Sequence, residues 1–199
     1  MVYLLSRRGT GTPVTILLLT GIAVGSLASA VASLVMIRGQ RGDLDLVVFW
    51  MLGSFANRGW PEVVLLAPYA VVGAVVAWAY ARYLDVLSLG DEQAAYLGLE
   101  VGRVRLGFLA LAALLAAAAV SVSGVIGFIG LVVPHLARLI FGASHRWLVP
   151  ASTLLGMVAL AGADIVANVC GELPVGIVTA FMGAPFFLYL LHRRETYSM

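Results

Sequence analysis

The sequence contains very little charge and almost no cysteine. Charged residues make up 11% of the 199 residues and hydrophobic residues 62%, whereas soluble domains are about half apolar and a quarter charged. This composition excludes a soluble globular protein and indicates an integral membrane protein. The single cysteine, Cys170, excludes an intrachain disulfide and any metal site built from several cysteines.

Lysine is absent, so all 12 basic residues are arginine. The formal net charge of +2 is too small to indicate a nucleic-acid partner. The chain also lacks a GxxxxGK[ST] phosphate loop, and it is therefore predicted to hydrolyse no ATP itself.

Six apolar stretches have the length of a membrane span, which requires about 17 to 25 residues. Since the backbone must satisfy its own hydrogen bonds in lipid, each stretch is predicted to be a helix. A shorter apolar run, residues 46–52, is predicted to lie at one membrane face. The fold class is an all-α transmembrane bundle that forms a single domain over residues 1–199. The predicted spans are approximately residues 14–37, 61–81, 104–122, 125–141, 148–168 and 173–191.

The arginines are unevenly distributed between the two sides that six spans define. Nine of the 12 fall on the side of the two termini, and only Arg38, Arg41 and Arg58 fall on the other side. Cytoplasmic loops carry such an excess of positive charge. Both termini are therefore predicted to be cytoplasmic.

The loop of residues 83–105 is the longest polar segment on the arginine-rich side. Ser88 is predicted to be the N-cap of a short helix, with Asp91 and Glu92 in the first turn, where the helix dipole favours anions. Gly98 fits the position just after the helix end. The surface of this segment suits docking on a cytosolic partner, and an ordinary solvated connection is the alternative. Its small apolar face consists of Ala94, Ala95 and Leu97.

Two of the apolar stretches are predicted to be interrupted by proline or glycine. Pro134 lies in the fourth stretch, and Gly183 and Pro185 lie in the middle of the last one. Both prolines are predicted to interrupt their helices. Broken helices at membrane depth are tolerated where they are buried in protein or line a cavity, so this pattern indicates a pathway through a bundle.

Three polar residues within the apolar stretches or at their boundaries are candidates for function. His135 is interpreted as a packing or capping residue, a proton relay or a metal ligand. Asp164 is either functional, as intramembrane carboxylates usually are, or bonded to a backbone donor. Ser123 and His135 together would suit an intramembrane serine protease, which is the competing hypothesis from another class.

Four collinear motifs resemble the permease subunits of bacterial iron–siderophore, haem and vitamin B12 ABC importers, the FecCD type. The resemblance covers essentially the whole chain but only the second half of a permease of about ten spans. It implies an N-terminally truncated chain, which would be a truncated gene, a misassigned start or half of a split permease. A non-functional remnant is one alternative. The motifs are GFIGLVVPHLARL, SLGDEQAAYLG, AGADIVAN and ELPVGIVTAFMGAPFFLYLL.

The resemblance implies a transport subunit with no catalytic residues, in the bacterial cytoplasmic membrane. The implied substrate is an iron(III)–siderophore complex, and cobalamin and haem are the alternatives. The implied partners are a second permease subunit, in a homo- or heterodimer, a cytosolic ATPase dimer that carries ATP and Mg²⁺, and a periplasmic or lipid-anchored substrate-binding protein. The chain itself is expected to hold no cofactor or metal.

The resemblance also implies roles for individual residues. The segment Ser88–Gly98 resembles the coupling helices that contact the ATPase, and the first and last spans would line the pathway. Asn168 stands where the family usually has an arginine that meets the binding protein, and Arg38, Arg41 or Arg58 are possible substitutes. The implied ATPase contacts are Ser88, Gly90, Asp91, Glu92, Ala95, Leu97 and Gly98. The implied pathway or helix-break residues are Thr15, Gly21, Pro134, Gly183 and Pro185, and the implied docking residues are Arg58, Asn168 and Glu172.

Overall fold

The computed structural model describes residues 14–38, 50–56, 58–171 and 173–195, and these residues form helices and connecting segments without a strand. The prediction of an all-helical fold is confirmed. In chain order the helices are α1 (Val14–Arg38), α2 (Trp60–Ala79), α3 (Ala81–Leu87), α4 (Asp91–Tyr96), α5 (Val101–Ser123), α6 (Ile129–Phe141), α7 (His145–Val169) and α8 (Val175–Glu195).

The chain consists of two units, Met1–Val48 and Phe49–Met199. The first unit contains α1, and the second contains the remaining helices. In the second unit α7 is the central helix, since it packs against α2, α3, α6 and α8. Helix α5 packs against α2 and α4.

Among the described helices, α2, α5 and α7 are long and apolar enough to cross a membrane. They have 20, 23 and 25 residues, and a helix of about 20 residues covers the roughly 30 Å of a bilayer core. Helices α1 and α8 have 25 and 21 residues. Their described apolar stretches are shorter, Leu19–Val31 and Val175–Leu188.

The predicted span 125–141 is wrong in its first part. Residues Gly124–Phe128 are not helical, and α6 begins only at Ile129 and has 13 residues, a length of about 20 Å. Gly124 and Phe128 adopt φ angles of 70° and 65°, a left-handed backbone conformation that no continuous right-handed helix contains.

Both predicted proline interruptions are also wrong. Helix α6 continues through Pro134, and α8 continues through Gly183 and Pro185. A proline removes one backbone donor, and the hydrogen bonds on either side are sufficient to keep the remaining turns helical. The break in the helical backbone lies instead at Gly124–Phe128, before α6.

The buried contacts of the second unit are made mostly by small side chains. One cluster joins Ala163 and Ala167 of α7 to Val175 and Val178 of α8, with Phe55 packed against it. The other joins Ala137 of α6 to Leu148 and Ala151 of α7. In lipid, small residues allow helix backbones to approach closely, and close packing rather than hydrophobic burial then holds helices together.

Candidate functional site

The first candidate site is the α3–α4 segment, which we define as Ala81–Gly98. Gly90 is the N-cap of α4 with φ 108°, a conformation that favours glycine. Asp91 and Glu92 lie in the first turn of α4, as predicted. The predicted N-cap role of Ser88 is wrong, because Ser88 is the C-cap of α3 and its hydroxyl donates to the Asp85 carbonyl at 2.6 Å.

The C-terminal end of α4 agrees with the sequence prediction. Gly98 follows the C-cap residue Leu97 and has φ 82°. Its N–H donates to the Ala95 carbonyl at 2.9 Å, and the N–H of Leu99 donates to the Ala94 carbonyl at 3.0 Å. This paired arrangement is a Schellman motif, which satisfies the last carbonyls of a helix.

A salt bridge fixes α4 to α5. The Arg105 guanidinium donates to both oxygens of Asp91, at 3.1 and 2.5 Å. Asp91 is therefore already engaged within the chain, and it anchors α4 rather than offering a free charge to a partner. Ala94 of α4 is fully buried.

The outer surface of the α3–α4 segment exposes large apolar side chains. Tyr96 is 90% exposed, Leu97 66% and Leu89 54%, and Glu92 and Ala95 are also exposed. Exposed apolar groups on a rigid polar segment suit an interaction surface. All of the predicted contact residues are exposed, namely Ser88, Gly90, Asp91, Glu92, Ala95, Leu97 and Gly98.

A second contact, which the sequence analysis missed, connects α3 to the start of α7. The Asp85 carboxylate of α3 accepts a hydrogen bond from the backbone N–H of His145 at 2.8 Å. It accepts another from the ring atom Nδ1 of His145 at 2.7 Å. The Ser144 hydroxyl lies 3.5 Å from the same carboxylate. Because a carboxylate only accepts hydrogen bonds, the Nδ1 atom carries the proton. We call these three residues the Asp85 clasp.

The clasp changes the acidity of Asp85. Partial burial alone raises the pKa of Asp85, but the hydrogen bonds from His145 and Ser144 outweigh it and hold that pKa below its ordinary value. The carboxylate is therefore ionised at neutral pH. It lies at the N-terminus of α7, where the helix dipole favours a negative charge.

At the opposite ends of α5 and α7, three glycines bring three backbone segments together. Gly53 and Gly124 have φ 70°, and a Cβ atom added to Gly53, Gly124 or Gly176 would lie less than 3.0 Å from a backbone carbonyl oxygen. We call this arrangement the glycine junction. It contains the end of the short apolar run, of which residues 50–52 are helical, and residues 46–49 lie outside the described residues.

Backbone hydrogen bonds hold the glycine junction. The N–H of Ser54 donates to the Ser123 carbonyl at 2.9 Å, and the N–H of Gly176 donates to the Gly53 carbonyl at 3.1 Å. The N–H of Val125 donates to the Trp50 carbonyl at 3.3 Å. Non-helical backbone at membrane depth requires such internal pairing. Glycine at i, i+4 spacing on a helix is the usual sequence sign of close helix packing, and these three glycines are too far apart in sequence to show it.

Beside the glycine junction, α8 borders an open apolar cavity of about 510 Å³, which we call the α8 groove. Gly176 and Pro185 line it, so one of the two predicted break residues of α8 lies at a cavity. Gly183 is buried, and a Cβ atom there would lie less than 3.0 Å from the Phe128 side chain. Other lining residues are Met51, Leu52, Val125, Ile177, Phe181 and Leu188.

The other predicted residues are not brought together by the described structure. Gly21 and Thr15 lie in α1, Thr15 in its first turn. Arg58 is exposed and lines a cavity of about 680 Å³ with Glu62. The Asn168 amide donates to the Asp164 carbonyl at 3.0 Å. Arg38 ends α1, and Arg41 and Glu172 lie outside the described residues.

The residues of the protease hypothesis do not form a pair. The Ser123 hydroxyl donates to the Ala119 carbonyl of its own helix at 2.9 Å. The His135 ring packs edge-on against Phe186, with ring centroids 6.1 Å apart, which supports the packing interpretation. Within the described ranges, no three His, Cys, Asp or Glu side chains lie close enough together to hold a metal ion.

Comparisons with known proteins agree with this geometry. The model of the FecCD transport family matches residues 1–193. The cobalamin import system permease protein BtuC of Halobacterium salinarum is 44% identical over 199 residues, which are 100% of this chain and 54% of that protein. The hemin transport system permease protein HmuU of Yersinia pestis is 40% identical over 98% of this chain and 59% of its own length.

One solved structure has the same fold. It is an ABC transporter assigned to the metal-chelate type, in an inward-facing conformation, with a TM-score of 0.87 and 31% sequence identity. The match covers 96% of this chain and 62% of that chain. The present chain spans about half the length of the curated relatives it matches.

Proposed function

The chain belongs to the FecCD transport family, and from this premise we propose that it is a permease subunit of a binding-protein-dependent ABC importer in the bacterial cytoplasmic membrane. In this proposal the chain carries out no chemistry. A separate ATPase dimer binds ATP and Mg²⁺, a second permease subunit completes the pathway, and a substrate-binding protein delivers the cargo. Both termini would then be cytoplasmic.

The observation that carries the proposal is the α3–α4 segment. It presents Leu89, Tyr96 and Leu97 to the outside while the Asp91–Arg105 salt bridge and the buried Ala94 hold α4 in place. A short, preorganised helix with exposed apolar side chains is suited to a groove on a partner, because little conformational entropy is lost on binding. We propose that this partner is the ATPase.

The α8 groove is our candidate for part of the translocation pathway. Among the described residues, the side chains that line it are apolar and uncharged. Such a wall makes few strong contacts with a bulky polar chelate, so the chelate passes without being trapped. Selection of the substrate would then belong mainly to the binding protein.

We propose an iron(III)–siderophore complex as the substrate. The proposal is supported by relatives such as an Fe(3+)-citrate permease of Bacillus subtilis, 38% identical over 196 residues. Cobalamin is the second candidate, because the cobalamin permease of Halobacterium salinarum is 44% identical along all 199 residues. Uptake of a radiolabelled ferric siderophore and of radiolabelled cobalamin, measured in parallel, distinguishes the two.

The ATPase contact is tested by copurification. The double variant Glu92→Arg with Gly98→Trp reverses an exposed charge and places a bulky side chain at a position with φ 82°, where only glycine is unstrained. We expect the variant to insert into the membrane but to lose the copurifying ATPase and transport. Glu100→Arg is the matched control, since Glu100 is exposed and lies just outside α4. Unchanged copurification and uptake in the double variant would remove the proposed docking role.

A further inference from the structure

Among the described residues, the Asp85 clasp and one tryptophan bond are the side-chain hydrogen bonds that join α2 and α3 to the start of α7. Asp85 and His145 are 60 positions apart in sequence, so the contact is tertiary. The tryptophan bond runs from Trp78 Nε1, at the end of α2, to the Arg146 carbonyl at 3.2 Å. The first turn of α7 is thus held from outside by Trp78 of α2 and Asp85 of α3.

The clasp joins the α3–α4 segment to the first turn of α7, so a displacement of one can reach the other. Helix α3 is joined to α4 by only three residues, Ser88–Gly90, which are held by backbone bonds from Ser88 to Leu84 at 3.0 Å and from Gly90 to Leu87 at 3.2 Å. A displacement of α4 therefore moves α3 and Asp85 with it. On the other side of the clasp, α7 packs against α2, α6 and α8.

The hydrogen bonds of the Asp85 clasp are of a strong kind. The carboxylate accepts one backbone N–H and one ring N–H at 2.8 and 2.7 Å, and hydrogen bonds to a charged group are roughly twice as strong as neutral ones. The His145 side chain is only 17% exposed, so water competes weakly for it. By contrast, the Glu100–Arg103 pair of the same region is 63% and 85% exposed and has no such tertiary role.

We infer that Asp85 is a positioning residue that transmits movement of the ATPase-bound α3–α4 segment to α7, and through α7 to α6 and α8. The inference rests on the proposed function, because it requires an ATPase on α4. In this inference, movement passes through one carboxylate, that of Asp85, which lies at the N-terminus of the central helix α7. The Asp91–Arg105 salt bridge provides a separate connection from α4 to α5.

The first test measures the clasp in the full chain without partners. Spin labels are placed at Leu89→Cys, in the turn after α3, and Met157→Cys, on an exposed face of α7, with the exposed Cys170 replaced by serine. The distance distribution measured by pulsed electron resonance should be narrow, and Asp85→Ala should broaden it. Asp85→Asn retains an oxygen acceptor for the His145 N–H groups and should leave it narrow. An unchanged distribution in Asp85→Ala would overturn the inference.

The second test measures coupling in the complete transporter in proteoliposomes, as ferric siderophore or cobalamin transported per ATP hydrolysed. Asp85→Ala should lower this ratio by about fivefold or more, the lower end of coupling between two sites, while the ATPase still copurifies. Asp85→Asn should keep most of the ratio, and the surface control Glu100→Ala should keep all of it.

The outcomes separate this inference from the proposed function. The positioning role is wrong if the ATPase copurifies and Asp85→Ala keeps the wild-type ratio of substrate transported to ATP hydrolysed. It is also wrong if Asp85→Asn is as impaired as Asp85→Ala. In both cases the proposed function stands. If no ATPase copurifies with the unmodified chain, the proposed function itself fails, and the transmission role fails with it.

Discussion

The glycine junction leads to a quantitative prediction for Gly176→Ala. A Cβ atom at Gly176 would lie less than 3.0 Å from the Leu52 carbonyl oxygen and 3.3 Å from that of Val125. Both are backbone atoms, which no rotamer change can move away. Within a helix, alanine is favoured over glycine by about 1 kcal/mol. The steric overlap of the new Cβ atom therefore opposes a gain in helix propensity.

The free-energy cost of the overlap should exceed the gain in helix propensity. Overpacking in a dense site typically costs about 1–3 kcal/mol, and loss of the hydrogen bond between Gly176 N–H and the Gly53 carbonyl, 3.1 Å long, leaves buried polar groups unpaired at a further cost of about 1–3 kcal/mol. We therefore expect Gly176→Ala to lose about 1–5 kcal/mol of stability after the helix gain is subtracted.

Two matched glycines provide the controls. A Cβ atom added to Gly162 in α7 would meet no described atom within 4 Å outside its own helix backbone, and the atoms nearest to a Cβ atom at Gly73 in α2 belong to the Leu115 side chain, which can rotate. Thermal unfolding in detergent should rank Gly162→Ala as most stable, Gly73→Ala as intermediate and Gly176→Ala as least stable. Equal transition temperatures for Gly176→Ala and Gly162→Ala would refute the reasoning.

Three further predictions follow from single contacts. Gly183→Leu should abolish transport or assembly, because its Cβ atom would overlap the Phe128 side chain; partial recovery on adding Phe128→Gly supports this cause, and full activity of Gly183→Leu alone would exclude it. Arg105→Ala should destabilise α4 by no more than about 1 kcal/mol, because the Arg105–Asp91 pair is 35% and 56% exposed. Faster amide exchange confined to α4 is the expected readout, and exchange identical to wild type would contradict the anchoring role. The lowered pKa of Asp85 predicts that its contribution to stability is present at neutral pH and is lost only below about pH 4, as the pH falls through the lowered pKa. The unfolding temperatures of wild type and Asp85→Asn should therefore converge only in strong acid, and convergence already near pH 6 would contradict this.

The helical architecture could be predicted from the sequence because its signals are local. The apolar lengths of α2, α5 and α7 follow directly from hydropathy, and Gly98 ended α4 at the predicted position. Ser88 was assigned to the wrong helix because a serine before an acidic pair has the composition of an N-cap. In the structure, Gly90 supplies the required backbone conformation with φ 108°.

The tertiary contacts could not be predicted, since each joins residues that are distant in sequence. Nothing local to Asp85 indicates His145, although Ser144 before His145 is a helix-start signal. The three glycines of the glycine junction lie in separate segments, and a glycine in an apolar stretch is equally compatible with helix packing. Pro134 and Pro185 do not end their helices, because the loss of a single donor leaves the hydrogen bonds of the neighbouring turns in place.

The central claim is that this chain works as a permease subunit driven by a separate ATPase. Its most direct test is substrate accumulation in cells that carry the chain, its ATPase, its binding protein and any further permease polypeptide, with all other importers of the substrate deleted. We expect a radiolabelled ferric siderophore to accumulate in these cells. Accumulation should stop when the phosphate loop of the ATPase is inactivated. It should also be absent when the 199-residue chain is the sole permease polypeptide. Accumulation that is independent of the ATPase would contradict the assignment.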